Sequence, residues 1–285
     1  MFRIKESHLK NTKIKVAIID LYNNEPNQGM RCLQDILNET DCKYTDVTVE
    51  YRIHESRYLN DVPCDDYDIY LSSGGPGSPF DGEGSKWEKD YFLLLDKLVQ
   101  NNQSHGSRKK YMFFICHSFQ LMARYFKFGT VNERHTKSFG IVPVELTGQG
   151  AQDPVFSGFK NPFFAADFRS WQVIDPNETV IRELGGNVPA MEYMQEGMTH
   201  QPALMGFRIG EEFLGTQFHP EADPASMYYH LRKPERIKQV VEEHGEKKYR
   251  EMVAHLEQPD NIWFTRHHVL PRFLTNAIQN LTTEK

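Results

Sequence analysis

The chain is short of several things, and each shortage removes a class of function. Cysteine is scarce: Cys32, Cys42, Cys64 and Cys116 are the four in 285 residues. No two have the spacing of a zinc knuckle or a redox pair, and the density is too low for a disulfide-stapled scaffold. Cys32, Cys42 and Cys64 read as reduced packing residues. Long apolar runs are missing as well. The longest, such as Tyr111 to Cys116, have the length of a strand, whereas a membrane helix needs about 20 apolar residues. The segment Met1 to Lys13 is charged and has no apolar middle, so it does not read as a secretory signal, and a cytoplasmic location is expected. The formal charge is -6, with both signs mixed along the chain; without a basic stripe no nucleic-acid partner is expected. His267-His268 has no companion cluster at ligand spacing, so no metal is expected, and no cofactor either. Internal repeats and low-complexity segments are absent.

What is present is ordinary globular composition, 39% hydrophobic and 12% aromatic, enough for a full core in one large domain or two small ones. Lys13 to Asp20 reads as a buried parallel strand. Gly29 to Thr40 has helical spacing through Met30, Leu33, Ile36 and Leu37. Strands are expected at Thr45 to Arg52, Tyr67 to Ser72 and Lys110 to Ile115, and helices at Lys86 to Gln100 and Ser118 to Phe126. Alternating strands and helices imply a mostly parallel, flavodoxin-like α/β sheet with helices on both faces, whose sites form beyond the carboxyl ends of the strands. The middle differs. Gly140 to Leu146, Phe163 to Asp167, Thr179 to Leu184, Ala190 to Met194 and Ala203 to Ile209 read as short strands of a β-rich insertion, leading into a strand over Phe213 to Phe218. The tail carries amphipathic helical patterns at Arg236 to Val241, Lys247 to Leu256 and Val269 to Ile278, with the charge run Glu242 to Lys248 as a junction.

Two segments carry chemistry. Phe113-Phe114-Ile115-Cys116-His117-Ser118-Phe119-Gln120 places a cysteine between an apolar strand and a helix, where the helix dipole favours a thiolate. Gln217-Phe218-His219-Pro220-Glu221 ends a strand with a histidine and a carboxylate on the same side of an extended chain. A nucleophile, a base and an orienting group are the parts of covalent thiol catalysis.

With Ser73-Gly74-Gly75-Pro76-Gly77-Ser78 and Lys137-Ser138-Phe139-Gly140 in the same order, the chain resembles the class I, or triad-type, glutamine amidotransferases from about Ile14 to about Ala222. It is similar to the glutaminase domain of GMP synthase and its stand-alone relatives. The resemblance implies Cys116, His219 and Glu221 as catalytic residues, the amides of Gly75 and His117 as the oxyanion hole, and Gln120, Ser138, Phe139 and Gly140 as substrate-binding residues. It implies glutamine or a related γ-glutamyl compound as substrate, and an ammonia-accepting synthase or a second copy as partner, with no membrane association. The family has glycine two before and two after the cysteine; here those positions are Phe114 and Ser118, which implies an altered elbow. The family's histidine-containing segment is replaced by Phe168-Arg169-Ser170-Trp171-Gln172-Val173.

Cys116-His117 also resembles intracellular cysteine peptidases on a related fold, in which His117 would be the base. Hydrolysis of another γ-glutamyl amide or peptide, or a non-catalytic partner-binding role, stays open. The expected organisation is a polar extension over 1–12, an amidotransferase-like domain over 13–222, and a helical extension over 223–285, packed on or beside that domain.

Overall fold

The structure, a computed structural model, describes residues 12–194, 199–256 and 260–283. All but the last residue of the expected N-terminal extension lies outside the described residues.

The first half alternates as the sequence predicts: β1 (Thr12–Asp20), α1 (Gly29–Asp41), β2 (Val47–Glu55), a single turn α2 (Ser56–Leu59), β3 (Ile69–Ser72), α3 (Lys86–Gln103), β4 (Tyr111–Ile115) and α4 (His117–Phe126). There follow β5 (Thr130–Leu146), α5 (Gly148–Gln152), β6 (Phe163–Ile174), α6 (Glu178–Glu183), β7 (Gly186–Glu192), β8 (Leu204–Ile209) and β9 (Phe213–Thr216), and then α7 (Pro224–Leu231), α8 (Pro234–Leu256) and α9 (Asp260–Thr283). All strands among the described residues join one 9-stranded sheet in the order β2-β1-β3-β4-β9-β8-β7-β5-β6. The strands from β2 to β9 pair in parallel, and those from β9 to β6 antiparallel. The β-rich section is thus the continuation of the α/β sheet, and β9 is the seam between its two halves.

The apolar run of β1 is explained by burial on both faces. Ile14, Val16 and Ile18 pack with Leu33, Ile36 and Leu37 of α1. Ala17 and Ile19, pointing the other way along the pleat, pack with Tyr91, Leu94, Leu95 and Leu98 of α3. The start of α3 is set by Ser85, whose side chain accepts from the Glu88 amide, an N-cap interaction.

One expected strand is a helix. Thr179 to Leu184 falls in α6, because the Asn177 side chain accepts from the Val180 amide and Glu178 sits in the first turn. A local cap and favourable dipole placement outweigh the β-branched Thr179-Val180-Ile181 run. A second correction concerns the thiols. All four cysteines are free, but Cys42 and Cys64 are exposed and do not pack.

The C-terminal helices differ in what they cover. In α9, Val269, Leu270, Phe273, Leu274 and Ile278 enter the main core, with Phe273 edge-on to Phe113 at 5.2 Å. In α7 and α8, Met227, Leu231 and Val240 cover a smaller cluster with Ile141 and Ala166. Within α8, Gly245 has φ 82 and breaks the helical geometry, so the charge run is the expected junction. Among the described residues no helix is long and apolar enough to cross a membrane.

Candidate active site

The site is built at the carboxyl ends of β3, β4 and β9. Cys116 follows β4 directly and caps α4, with φ 50 and ψ -98. A non-glycine residue held there costs about 1–3 kcal/mol, so the surroundings must impose it. They do so through hydrogen bonds. The Cys116 amide donates to Thr216 O at 2.8 Å, the Ile115 amide donates to Ser118 Oγ at 2.7 Å, and Ser118 Oγ donates to Ser72 O at 2.7 Å. The residue found two after the cysteine therefore braces the elbow against β3.

The other departure has a counterpart across the sheet. Phe114 is fully buried and stands opposite Gly215 of β9. A Cβ on Gly215 would lie 2.7 Å from Phe119 Cδ2, 2.9 Å from Met122 Sδ and 3.4 Å from Phe114 Cβ. The absent side chain at 215 makes room for Phe119 and Met122, which pack in one cluster with Phe114.

Past β9 the chain bends toward β6, with the His219 amide donating to Ala166 O at 2.8 Å. The imidazole Nδ1 lies 2.8 Å from Glu221 Oε1. Cys116 lies near enough to act on the ring electrostatically, and its Sγ donates to Phe168 O at 3.9 Å. Burial alone would push His219 down. The negative charges of Glu221 and Cys116, and the hydrogen bonds to both, outweigh it and hold the imidazolium well above the usual histidine range. Glu221 is buried. Beside it, Cys32 is pushed up to about 12, first by burial and then by the charges of Asp223 and Glu221, so it stays a neutral thiol.

These groups open on a cleft of about 660 Å³, which Gly75, Cys116, Gln120, Ser138, Phe139, His219 and Glu221 help to line. Two residues singled out from sequence are not on its walls. Gly140 is buried, with φ 111, and pairs with Asp167. His117 is buried too, and burial, aided by the charges of Arg57 and Arg124, depresses it to about 3. The imidazole is neutral and does not line the cleft. Its main-chain amide is another matter. It opens α4, in the first turn whose N–H groups have no intrahelical acceptor.

Several contributors carry little or no signal in the sequence. Gly75 approaches Leu21 O so closely that a Cβ there would sit 2.4 Å away. Arg57 of α2 ties that approach down, donating to Leu21 O at 3.2 Å and Pro76 O at 2.7 Å. Gln217 is fully buried and donates to Cys116 Sγ at 3.7 Å; its place in the closing motif was the available clue. Tyr22 lines the cleft and stays a neutral phenol, because burial and then the charges of Glu221 and Cys116 push it up. Met227, Lys233 and Val240, from α7, α8 and the turn between them, also line the cleft, as do Arg169, Ser170 and Trp171 of β6. Among the described residues no group of acidic, histidine or cysteine side chains is arranged to hold a metal ion.

Residues 27–233 match the family described as glutamine amidotransferase class-I. Similar solved structures include a glutamine amidotransferase from Thermotoga maritima, 15% identical, covering 93% of this chain and 98% of its own, with a TM-score of 0.62. Another is a glutamine amidotransferase from Methylobacillus flagellatus, 15% identical over 94% of this chain and 95% of its own, with a TM-score of 0.63. The glutaminase domain of a Trypanosoma brucei CTPS with bound acivicin is 12% identical over 88% and 96%, with a TM-score of 0.52. At these identities the likeness is one of fold. No curated protein matches the chain.

Proposed function

The chain belongs to the class I glutamine amidotransferase family, and we propose that it releases ammonia from the side-chain amide of glutamine through a thioester on Cys116. The observation that carries this reading is the partly buried His219–Glu221 pair, 2.8 Å apart, set beside a cysteine held at a strained strand-to-helix turn.

In the proposed reaction the Cys116 thiolate adds to the amide carbon, and the carbonyl electron pair moves onto oxygen. The amides of Gly75 and His117 take that negative charge as preorganised donors. His219, as imidazolium, gives its proton to the leaving nitrogen, the C–N bond breaks, and ammonia departs from a glutamyl thioester. Water, losing a proton to His219, then cleaves the thioester to glutamate and the free thiol. Glu221 keeps the imidazole oriented and its positive form favoured. Gln120, Ser138 and Phe139 contact the substrate. Cleft residues of both signs, among them Glu25, Glu133, Lys137, Arg169 and Lys233, suit the paired charges of an α-amino acid. A synthase partner would receive the ammonia; a second copy of the chain is the alternative partner.

A second reading has its own observation. Trp171 on the cleft wall packs against the partly exposed Phe80 at 5.4 Å. This aromatic rim suits a γ-glutamyl amide with a larger substituent than ammonia.

Purified protein assayed with glutamine and a panel of γ-glutamyl amides, with glutamate and ammonia measured, separates the readings. Cys116→Ala and His219→Ala are expected to lower turnover by about 10³-fold or more, and His117→Ala to spare it. Turnover surviving Cys116→Ala would overturn the thiol mechanism. Turnover lost in His117→Ala but kept in His219→Ala would move the base to His117.

A further inference from the structure

Behind the cleft wall, two carboxamides and a thiol form one hydrogen-bonded chain. Gln120 Nε2 donates to Trp171 O at 3.1 Å and to Gln217 Oε1 at 3.3 Å. Gln217 Nε2 donates in turn to Cys116 Sγ at 3.7 Å. Chemistry sets the direction of the chain. A main-chain carbonyl only accepts, so the Gln120 group facing Trp171 is its NH₂. The second N–H of that group meets the Gln217 oxygen, which turns the Gln217 NH₂ to the sulfur. Gln217 is 0% exposed and Gln120 3%, so bulk water does not compete for these groups. The Gln217 main chain is pinned as well, its amide donating to Met205 O at 3.0 Å.

We propose that Gln217 is a positioning residue that holds the Cys116 sulfur as a thiolate, linking it to the substrate-facing Gln120; the proposal rests on Cys116 being the nucleophile. An N–H donor stabilises the anion and not the neutral thiol, so its benefit is realised when the proton leaves. Donation from Gln120 polarises the Gln217 amide in the direction that strengthens its own donation. The sulfur is then held from two sides, by the Gln217 donor and by Phe168 O, to which the thiol donates at 3.9 Å, and its rotamer is set before substrate arrives. Gln120, whose side chain reaches the cleft, becomes the outer end of a path to the nucleophile.

The test reads the sulfur directly. Alkylation of Cys116 by iodoacetamide is followed against pH in the intact protein by the mass of the peptide that carries it, because the exposed Cys42 and Cys64 also react. The proteins compared are wild type, Gln217→Met and the near-isosteric Gln217→Glu, each shown to be folded by its thermal transition. The pH midpoint of alkylation is expected to rise by about one unit in Gln217→Met, a tenfold drop in thiolate below both midpoints. In Gln217→Glu it rises further, because a carboxylate puts like charge against the sulfur. For the turnover reaction kcat is expected to fall about tenfold with KM within about twofold, the pattern of a group acting on the nucleophile. A midpoint that stays at or below the wild-type value in a folded Gln217 variant overturns the proposal, and Gln217→Glu serves if Gln217→Met does not fold. Alkylation needs no substrate, so failure to turn over glutamine leaves this test intact. A wild-type Cys116 that reacts no differently from a denatured cysteine would instead sink the catalytic reading beneath it.

Discussion

Phe114 of β4 and Gly215 of β9 face each other in the parallel ladder, and the space a side chain at 215 would need is taken by Phe119 and Met122. The pair sits directly under the elbow that presents Cys116. A methyl group at 215 meets Phe119 and Met122 inside 3.0 Å, and neither neighbour has open space behind it, both being fully buried. Gly215→Ala is therefore expected to destabilise the protein by about 1–3 kcal/mol, the usual cost of overpacking, with a matching loss of turnover. Urea unfolding of the variant checks it; an unchanged midpoint would mean the elbow tolerates the extra volume.

Glu221 governs the charge of His219. Glu221→Gln keeps the shape but removes the negative charge, and burial then draws the imidazole downward. In the parent protein the raised imidazole contributes stability that is fully present below the unfolded value near 6.5 and is lost as pH rises through its higher folded value. The variant is expected to lose that alkaline dependence, to show the His219 ring titrating at lower pH by NMR, and to turn over about 10²-fold or more slowly. A ring that titrates as in wild type would deny Glu221 this role.

His117 acts in the opposite sense. Its folded value of about 3 lies below the unfolded one, so the unfolded chain binds the extra proton and stability falls as pH drops from about 6.5 toward 3. The slope from this residue alone is about 1.4 kcal/mol per pH unit in the middle of that window. His117→Phe is expected to flatten the acid limb of the stability curve while leaving its neutral plateau within about 1–2 kcal/mol. Denaturant midpoints at a series of acidic pH values would show the difference.

Arg57 clamps the glycine loop through Pro76 O. Because it touches the loop and not the substrate, Arg57→Gln is expected to lower kcat about tenfold and leave KM nearly unchanged, part of the 10²–10³-fold loss of a missing oxyanion donor. A pure KM effect would place Arg57 in substrate binding instead.

The features legible in the sequence were those with a local cause. β1, β3 and β4 are apolar runs because both faces of a central parallel strand are covered, and the His219–Glu221 pair was legible from its spacing, although the two meet in the turn beyond β9 and not along an extended strand. α6 escaped because its decisive cap lies outside the β-branched run, at Asn177. Arg57 escaped because a partly buried arginine on a single turn has no pattern of its own; only the fold brings it to Pro76. The packing around Phe114 was hidden for the same reason, since Gly215, which leaves room for Phe119 and Met122, is remote in the chain and adjacent only across the β4–β9 pairing. The β-rich section was readable as strands, but its union with the parallel half depends on the long-range pairing of β8 with β9.

α9 carries a consequence for the order of synthesis. Val269 to Leu281 supply one wall of the core that also holds β1 and β4, Arg108 donates to Leu281 O at 3.0 Å, and Arg272 to Val155 O at the same distance. A nascent chain emerges amino end first, so β1 through β9 leave the ribosome with that apolar face uncovered. Chains stalled at increasing lengths, the longest extended by a carboxyl-terminal linker, should gain protease resistance only after Leu281 has cleared the exit tunnel. Until then the Cys116 elbow belongs to a particle that chaperones, and not substrates, would recognise.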